Sequence, residues 1–443
     1  MIHRRLSALA LVASGALVVT TTTMLPSFAA DADRAEASSP NLADATSPFT
    51  IIVHLEDGSG DPAARLADAK KRIGDAVAQA SPGATMEVVR DYTHAFEGVA
   101  IKAPASALSA IKATQGVAGA FVEGYHDPVT DPDFWSIQGG YGKPADSSDL
   151  GAASRMTGAA AASQRGQGQV VEVIDTGVDT SHEAFAGVMD AASLRLTQTD
   201  MTSLMTDLGA GKNGAWISDK IPFAYDYGDG DANVIPGSEG GWASEQGTHN
   251  DTALTGAAPG AQLIVAKATR GNTYTANDSA LLAALDDAAV LKPDAITVSF
   301  ATLEGMNTDS VALYSQVYQT LNDQGIVVNA PAGNNENNSY ASDPDAGLLG
   351  FPAFYPSTLA VASVDEQTMA EQGSQPISVS DFSGTGATYD LRLKPEIAAP
   401  GGAVMSASPG NYYGRMSGTA EASAQVAGIA TLVRQRVATD PAF

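Results

Sequence analysis

The chain has 443 residues, with 50 Asp and Glu against 24 Lys and Arg and a formal charge of −26 at pH 7. This acidity excludes nucleic acid and anionic membrane surfaces as partners, because both would repel it. The absence of cysteine excludes a disulfide framework and a thiolate metal site, so the chain relies on its apolar core.

The length allows two domains and a leader. Residues 1–30 read as a signal peptide. Arg4 and Arg5 give the charged start, residues 6–19 the apolar run, and Ser27-Phe28-Ala29-Ala30 the small residues before cleavage. Residues 31–48 are polar and read as a linker. No later segment is long and apolar enough to anchor in a membrane, so the expected location is secreted or cell envelope.

Residues 49–131 predict a small α+β domain. Ile51, Val53 and Leu55 alternate as in a strand, and Leu66, Ala69, Ile73 and Val77 follow helical spacing. Strands are expected at 86–89, 98–101 and 118–122. A short helix is expected at 104–114, with Pro104 at its first position and Gly116 just past its end. The order β-α-β-β-α-β is ferredoxin-like.

Residues 132–443 predict an α/β domain with a parallel sheet covered on both faces. Buried strands are expected at 169–174, 263–266, 295–300, 326–330 and 358–364, with helices at 279–290 and 311–322. Functional residues should then lie at the carboxyl ends of strands.

Four stretches could carry chemistry. Asp175, in Ile174-Asp175-Thr176-Gly177, ends the first of these strands, and reads as a helix cap or a functional carboxylate. His249 closes Gln246-Gly247-Thr248-His249. Of the other histidines, one is in the leader, His54, His94 and His126 fall in the small domain, and His182 is the only other in the large one. Asn334, in Ala332-Gly333-Asn334, can donate to an oxyanion or cap its turn. Met416-Ser417-Gly418-Thr419-Ala420 opens a helix whose first N–H groups suit an anion.

Together, in this order, the four stretches resemble the subtilases, the subtilisin-like serine proteases. Gly256-Ala257-Ala258-Pro259-Gly260, Lys394 to Gly401 and Val426-Ala427-Gly428 are similar to the family's framework. Lys220-Ile221-Pro222-Phe223-Ala224-Tyr225 is closest to the large cell-envelope proteinase branch. The small domain resembles the subtilase propeptide, an intramolecular chaperone and inhibitor. The resemblance implies that His249 is the general base, that Asp175 orients its ring, and that Asn334 stabilises the oxyanion. It implies that Ser299, Phe300 and Ala301 pair with an extended peptide, and that the partners are a peptide or protein substrate and the chain's own propeptide.

The nucleophile position departs from the pattern. Gly418-Thr419-Ala420-Glu421-Ala422 stands where the family has Gly-Thr-Ser-Met-Ala. Ala420 has no Oγ, so no acyl-enzyme can form. Ser417 and Ser423 lie about a helical turn away. Glu421 replaces methionine, and the helix dipole would welcome its carboxylate. Gln246 replaces a histidine, and Asn250-Asp251-Thr252 replace small residues. Asp251 would raise the pKa of His249.

The expectation is a subtilase-fold homologue that is inactive as written. The alternative is an engineered or drifted copy of an active secreted protease. A third reading, a divalent-metal site from Asp175, His249, Asp251 and Glu421, is weaker, and no cofactor is expected. Asp229-Gly230-Asp231-Ala232-Asn233 has the alternating oxygens of a calcium loop, although an exposed acidic turn explains it as well. The chain stops soon after the Ala420 helix, which reads as a fragment of a longer protein.

Overall fold

The structure is a computed structural model. It describes residues 47–128, 151–187, 189–209, 212–235, 256–271, 273, 275–301, 308–334, 349–367, 376–388, 390–440 and 442. All of these belong to the compact unit Asn41–Phe443. The expected leader, nearly all of the linker and the stretch from Gln246 to Thr252 lie outside the described residues. Among the described residues no helix is long and apolar enough to cross a membrane.

The N-terminal part runs β1 (Pro48–Leu55), α1 (Pro62–Ala80), β2 (Glu87–Tyr92), β3 (Gly98–Pro104), α2 (Leu108–Lys112) and β4 (Val117–Val122). The sheet order is β2-β3-β1-β4, with antiparallel neighbours, as the ferredoxin-like expectation requires. α1 forms where expected. The Asp61 side chain accepts from the N–H groups of Ala63 and Ala64, and Pro62 opens the helix, where its missing N–H is not needed. Leu66, Ala69, Ile73 and Val77 are its buried stripe, packed on Ile51, Val53, Val99 and Ile101. Pro104 ends β3 rather than opening a helix, because its extended ψ of 140° continues the strand before a 3₁₀ turn leads into α2.

The chain then forms β5 (Tyr125–Pro128), α3 (Ala152–Met156), β6 (Val170–Asp175), α4 (Gln198–Asp207), β7 (Phe223–Asp226) and β8 (Gln262–Lys267). It continues through β9 (Ala276–Asn277), α5 (Asp278–Leu291), β10 (Ala295–Val298), β11 (Phe300–Ala301), α6 (Thr308–Asp323) and β12 (Val327–Pro331). The last elements are β13 (Thr358–Asp365), β14 (Ile397–Gly402), the hairpin β15 (Val404–Ser408) and β16 (Tyr412–Met416), and α7 (Thr419–Thr439).

Seven strands form a parallel sheet in the order β14-β13-β12-β10-β6-β8-β7. Its strands are buried on both faces, which is why their sequences are apolar runs rather than alternations. α5 and α6 bring Leu282, Leu285, Leu313 and Val317 to one cluster with Ile174, Ile296 and Val328. Ala427 and Leu432 of α7 join Val171, Val173 and Val265 in another.

The expected strand at 295–300 is split. β10 stays in the parallel sheet, while β11 leaves it to pair antiparallel with β5. β9 pairs with β5 on the other side. The N-terminal unit is joined to the large sheet's helices at several further points. Asp286 on α5 accepts from the backbone N–H groups of Thr93 (3.1 Å), His94 (2.9 Å) and Ala95 (2.7 Å). Arg90 donates to the Tyr227 carbonyl at 2.7 Å, and Lys112 pairs with Asp309 on α6 at 2.7 Å.

Glu172 sits fully buried in the middle of β6. Neither of its carboxylate oxygens has a hydrogen-bond partner among the described residues. Burial above all, and then the charge of Asp287, hold its carboxyl well above the usual carboxylate range. Its raised pKa means stability is fullest below about 4.5 and falls as the pH rises above it. Glu172→Leu is therefore expected to stabilise the fold by about 1–3 kcal/mol at pH 4, where it removes an unsatisfied neutral carboxyl, and by more at pH 8. Urea unfolding at the two pH values checks this, and an equal shift at both would contradict it.

Candidate active site

Asp175 is the last residue of β6, at the carboxyl end of a central strand. Its Oδ1 accepts from the Thr176 N–H at 2.6 Å and the Thr176 hydroxyl at 3.2 Å. Its Oδ2 accepts from the Ser299 hydroxyl at 2.7 Å. Ser299 follows β10, the neighbour of β6. Asp175 is therefore a buried, oriented carboxylate and not a helix cap.

Asn334 follows β12, the strand beyond β10. Its Oδ1 accepts from both the backbone N–H and the hydroxyl of Thr419, each at 3.0 Å. A backbone N–H can only donate, so this contact fixes which end of the amide is oxygen. Nδ2 is buried and has no hydrogen-bond partner among the described residues. The Thr419 hydroxyl also accepts from the Gly333 N–H at 3.1 Å, tying the turn to the helix. Gly384 lets this turn be approached, since a Cβ there would lie 2.6 Å from the Ala332 carbonyl oxygen.

Ala420, nearly fully buried, is the second residue of α7. The helix start is held against β14, where the Gly418 N–H donates to the Gly401 carbonyl at 2.8 Å. A Cβ on Gly401 would come within 2.4 Å of the Gly418 oxygen. The two nearby serines are committed elsewhere. The Ser423 hydroxyl bonds that of Thr297 at 3.0 Å, and Ser417 Oγ accepts from the Ala403 N–H at 2.8 Å.

Glu421 overturns the expectation that the helix dipole makes its carboxylate welcome. The side chain is buried, and Oε2 has no partner among the described residues. Burial pushes its carboxyl up to about 8, and the charge of Asp175 adds to the rise. A helix N-terminus offers at most about 2 kcal/mol to an anion, less than the desolvation it opposes.

Asp175, Ser299, Asn334 and Ala420 thus meet at the carboxyl ends of β6, β10 and β12 and the start of α7. His249, Gln246, Asn250 and Asp251 lie outside the described residues. His182 is structural. It is buried, its Nδ1 accepts from the Ala184 N–H at 3.0 Å, and its ring stands edge-on to Tyr413 at 4.9 Å. The buried Lys220 donates to the carbonyls of Ala261 and Pro259, fixing the end of the Gly256–Gly260 stretch. Burial lowers its pKa to about 7.

The calcium reading of Asp229 to Asn233 does not fit the turn. A buried lysine, Lys267, already supplies the positive charge, 2.6 Å from Asp226 and 3.6 Å from Asp229. The Asp229 and Asp231 carboxylates accept from the N–H groups of Gly271 (2.7 Å) and Asn233 (2.8 Å). A ring nitrogen of His94 and carboxylate oxygens of Asp286 and Asp287 lie within 4.8 Å of one another, close enough for an ion. Both Asp286 oxygens are nonetheless taken by backbone N–H groups, and Asp287 is bonded to Lys212 and Tyr227.

Beside this site β5 is the middle strand of a small antiparallel sheet, between β11 and β9. The registers are Phe300 opposite Pro128 and Ala301 opposite Asp127 on one side, and Ala276 opposite His126 and Asn277 opposite Tyr125 on the other. The sequence reading missed His126 and Asp278. It took His126 as one more small-domain histidine, and Asp278 was invisible ahead of the expected helix at 279. A cue was available in Asn277-Asp278, two acceptors at a helix start where one suffices as a cap.

Residues 166–440 match the Subtilase family. The chain is 28% identical over 253 residues to the PII-type proteinase of Lactococcus lactis subsp. cremoris, covering 52% of this chain and 13% of that protein. This agrees with the branch that the sequence resembles. It is 30% identical over 215 residues to subtilisin E of Bacillus subtilis (strain 168), covering 46% of this chain and 50% of that one. Fervidolysin from Fervidobacterium pennivorans, a keratinolytic enzyme related to subtilisin, shares the fold with a TM-score of 0.57. The overlap is at 18% identity and covers 89% of this chain and 56% of that chain. The matched stretches thus span half or less of the two curated relatives. A family match over more than half the chain, on a parallel sheet that brings Asp175, Asn334 and the α7 start to one edge, places this chain in the subtilase family of serine proteases.

Proposed function

We propose that this chain is a secreted or cell-envelope peptide-binding subtilase that does not cleave what it binds. In this reading the N-terminal βαββαβ unit is a propeptide that stays attached and fills a cleft between β9 and β11 with β5. Asp175 and His249 keep the places of the family's charge relay, and Ala420 gives them no hydroxyl to activate.

The observation that carries the binding half of the proposal is Asn334. A buried N–H donor without a partner costs about 1–3 kcal/mol. Thr419 holds this amide by its oxygen and leaves Nδ2 unsatisfied among the described residues. A peptide carbonyl oxygen is the group that would satisfy it. The framework for holding a substrate therefore persists where the nucleophile does not.

The test uses the unaltered chain, made in a host without extracellular proteases. It is expected to be recovered with its N-terminal unit covalently attached, and to form no ester with a fluorophosphonate probe. A labelled serine, or a product starting near residue 132, would end the inactive reading. The rival reading, a protease copy with Ala420 as its only decisive lesion, draws on the same intact Asn334. Ala420→Ser alone separates the two: full activity from that single change would favour the rival reading.

A further inference from the structure

At the end of the cleft remote from Ser299, a pocket encloses one side chain of β5. His126 is only 3% exposed. Its ring lies on Phe351, with centroids 4.7 Å apart and planes at 29°, and stands edge-on to Tyr314 at 6.3 Å and 83°. Its Nε2 is 2.7 Å from Asp278 Oδ1. Asp278 is itself buried at 3% exposure. The same Oδ1 accepts from the Tyr314 hydroxyl at 2.7 Å, and Oδ2 accepts from the Gly124 N–H at 2.6 Å. A carboxylate is an acceptor only, so Nε2 carries the hydrogen in this contact.

We propose that this pocket is a specificity subsite that selects histidine in peptides laid along β9 and β11. Asp278 reads the N–H at the ring's edge, and Phe351 reads the ring's plane. The proposal rests on the reading that the cleft binds extended peptides, and adds which side chain it prefers.

The geometry leaves few alternatives. Backbone pairing of His126 with Ala276 fixes how far a side chain can enter. Phenylalanine would keep the stack and leave the buried carboxylate short of a donor, at the cost of an unmet acceptor. Lysine would supply the donor and lose the stack. Arginine has both a plane and donors, but its guanidinium sits three methylenes from Cα where imidazole sits one, and would overrun Asp278. An aliphatic side chain supplies neither contact. Of these side chains, imidazole alone meets both at this depth.

Hydrogen exchange on the full chain tests this in place. In the parent, the amides of Tyr125, His126 and Asp127 are expected to be protected. His126→Phe should speed their exchange at least tenfold, although the pocket stays filled. Adding Asp278→Leu to His126→Phe should slow it again, because the acid no longer lacks a donor. Unchanged protection of β6 and β10 amides shows in each variant that the fold is intact. If His126→Phe exchanges as slowly as the parent, the pocket reads aromatic bulk alone and the proposal is wrong. If the double variant is no slower than His126→Phe, Asp278 is not the reader and the proposal is likewise wrong. If the parent amides already exchange freely, β5 is not held. The cleft reading itself then fails, and this inference with it.

Discussion

Ala420→Ser combined with Glu421→Met is expected to convert the chain into a protease that removes its own N-terminal unit. In subtilisin, a relative of this chain, loss of the nucleophile costs roughly a millionfold in turnover. Restoring it should recover a factor of about 10⁵–10⁶ if the rest of the site is sound. The described residues favour that outcome. Asp175 is oriented by Thr176 and Ser299. Thr419 fixes the Asn334 amide, and Gly401 holds the start of α7. Ala420→Ser alone should recover less, and its activity should decline as the pH passes about 8. There Glu421, one residue from the nucleophile, becomes an anion and opposes the negative charge that develops in the transition state. The double variant should show no such decline. Cleavage of casein across pH 6–10, with the mass of the recovered chain, reads both effects. Silence of the double variant would mean that the divergence around His249, at Asn250 and Asp251, is also disabling.

How much of this was legible in the sequence depends on the length over which each signal is averaged. α1 was readable because four apolar residues at helical spacing follow an Asp cap and a proline, and all four are buried. The parallel strands were readable because burial on both faces writes them as apolar runs. β7, β14 and the β15–β16 hairpin are short or rich in glycine and polar residues, and local pattern carries little there. The split between β10 and β11 was hidden for a different reason. Residues 295–300 are one continuous run, and it is long-range pairing with β5, not local pattern, that sets Phe300 and Ala301 apart from the parallel sheet. The grouping of Asp175, Asn334 and the α7 start was legible through motif order, which condenses tertiary placement into sequence. The Asp278–His126 contact joins residues 152 positions apart, and no motif condenses it. Glu421 was visible but misjudged, because a helix start advertises its dipole and conceals its burial.

That misjudgement makes Glu421 a second place, after Glu172, where pH should act strongly on stability. Its carboxyl moves from an ordinary 4.5 to about 8 in the fold, chiefly through burial, which a backbone hydrogen bond opposes and the charge of Asp175 reinforces. Below pH 4.5 the group is protonated in both folded and unfolded chains and makes no difference between them. From 4.5 to about 8 the unfolded chain ionises while the folded one does not. Stability therefore falls over this window by about 1.4 kcal/mol per pH unit. Above pH 8 the loss is complete, on the order of 5 kcal/mol for so buried a group. Glu421→Gln removes the titration and keeps the shape. The variant should match the parent near pH 4 and exceed it by several kcal/mol at pH 9, with the gap opening between these limits. Urea midpoints of both chains at pH 4, 6, 7 and 9 measure it directly. Parallel pH profiles would show that Glu421 reaches solvent or a partner, and the buried neutral acid beside Ala420 would have to be abandoned. If the gap opens as expected, the same acid is uncharged at neutral pH. The helix start then carries no negative charge from Glu421, and the Asn334 Nδ2, unpaired among the described residues, can hold a peptide oxygen beside it.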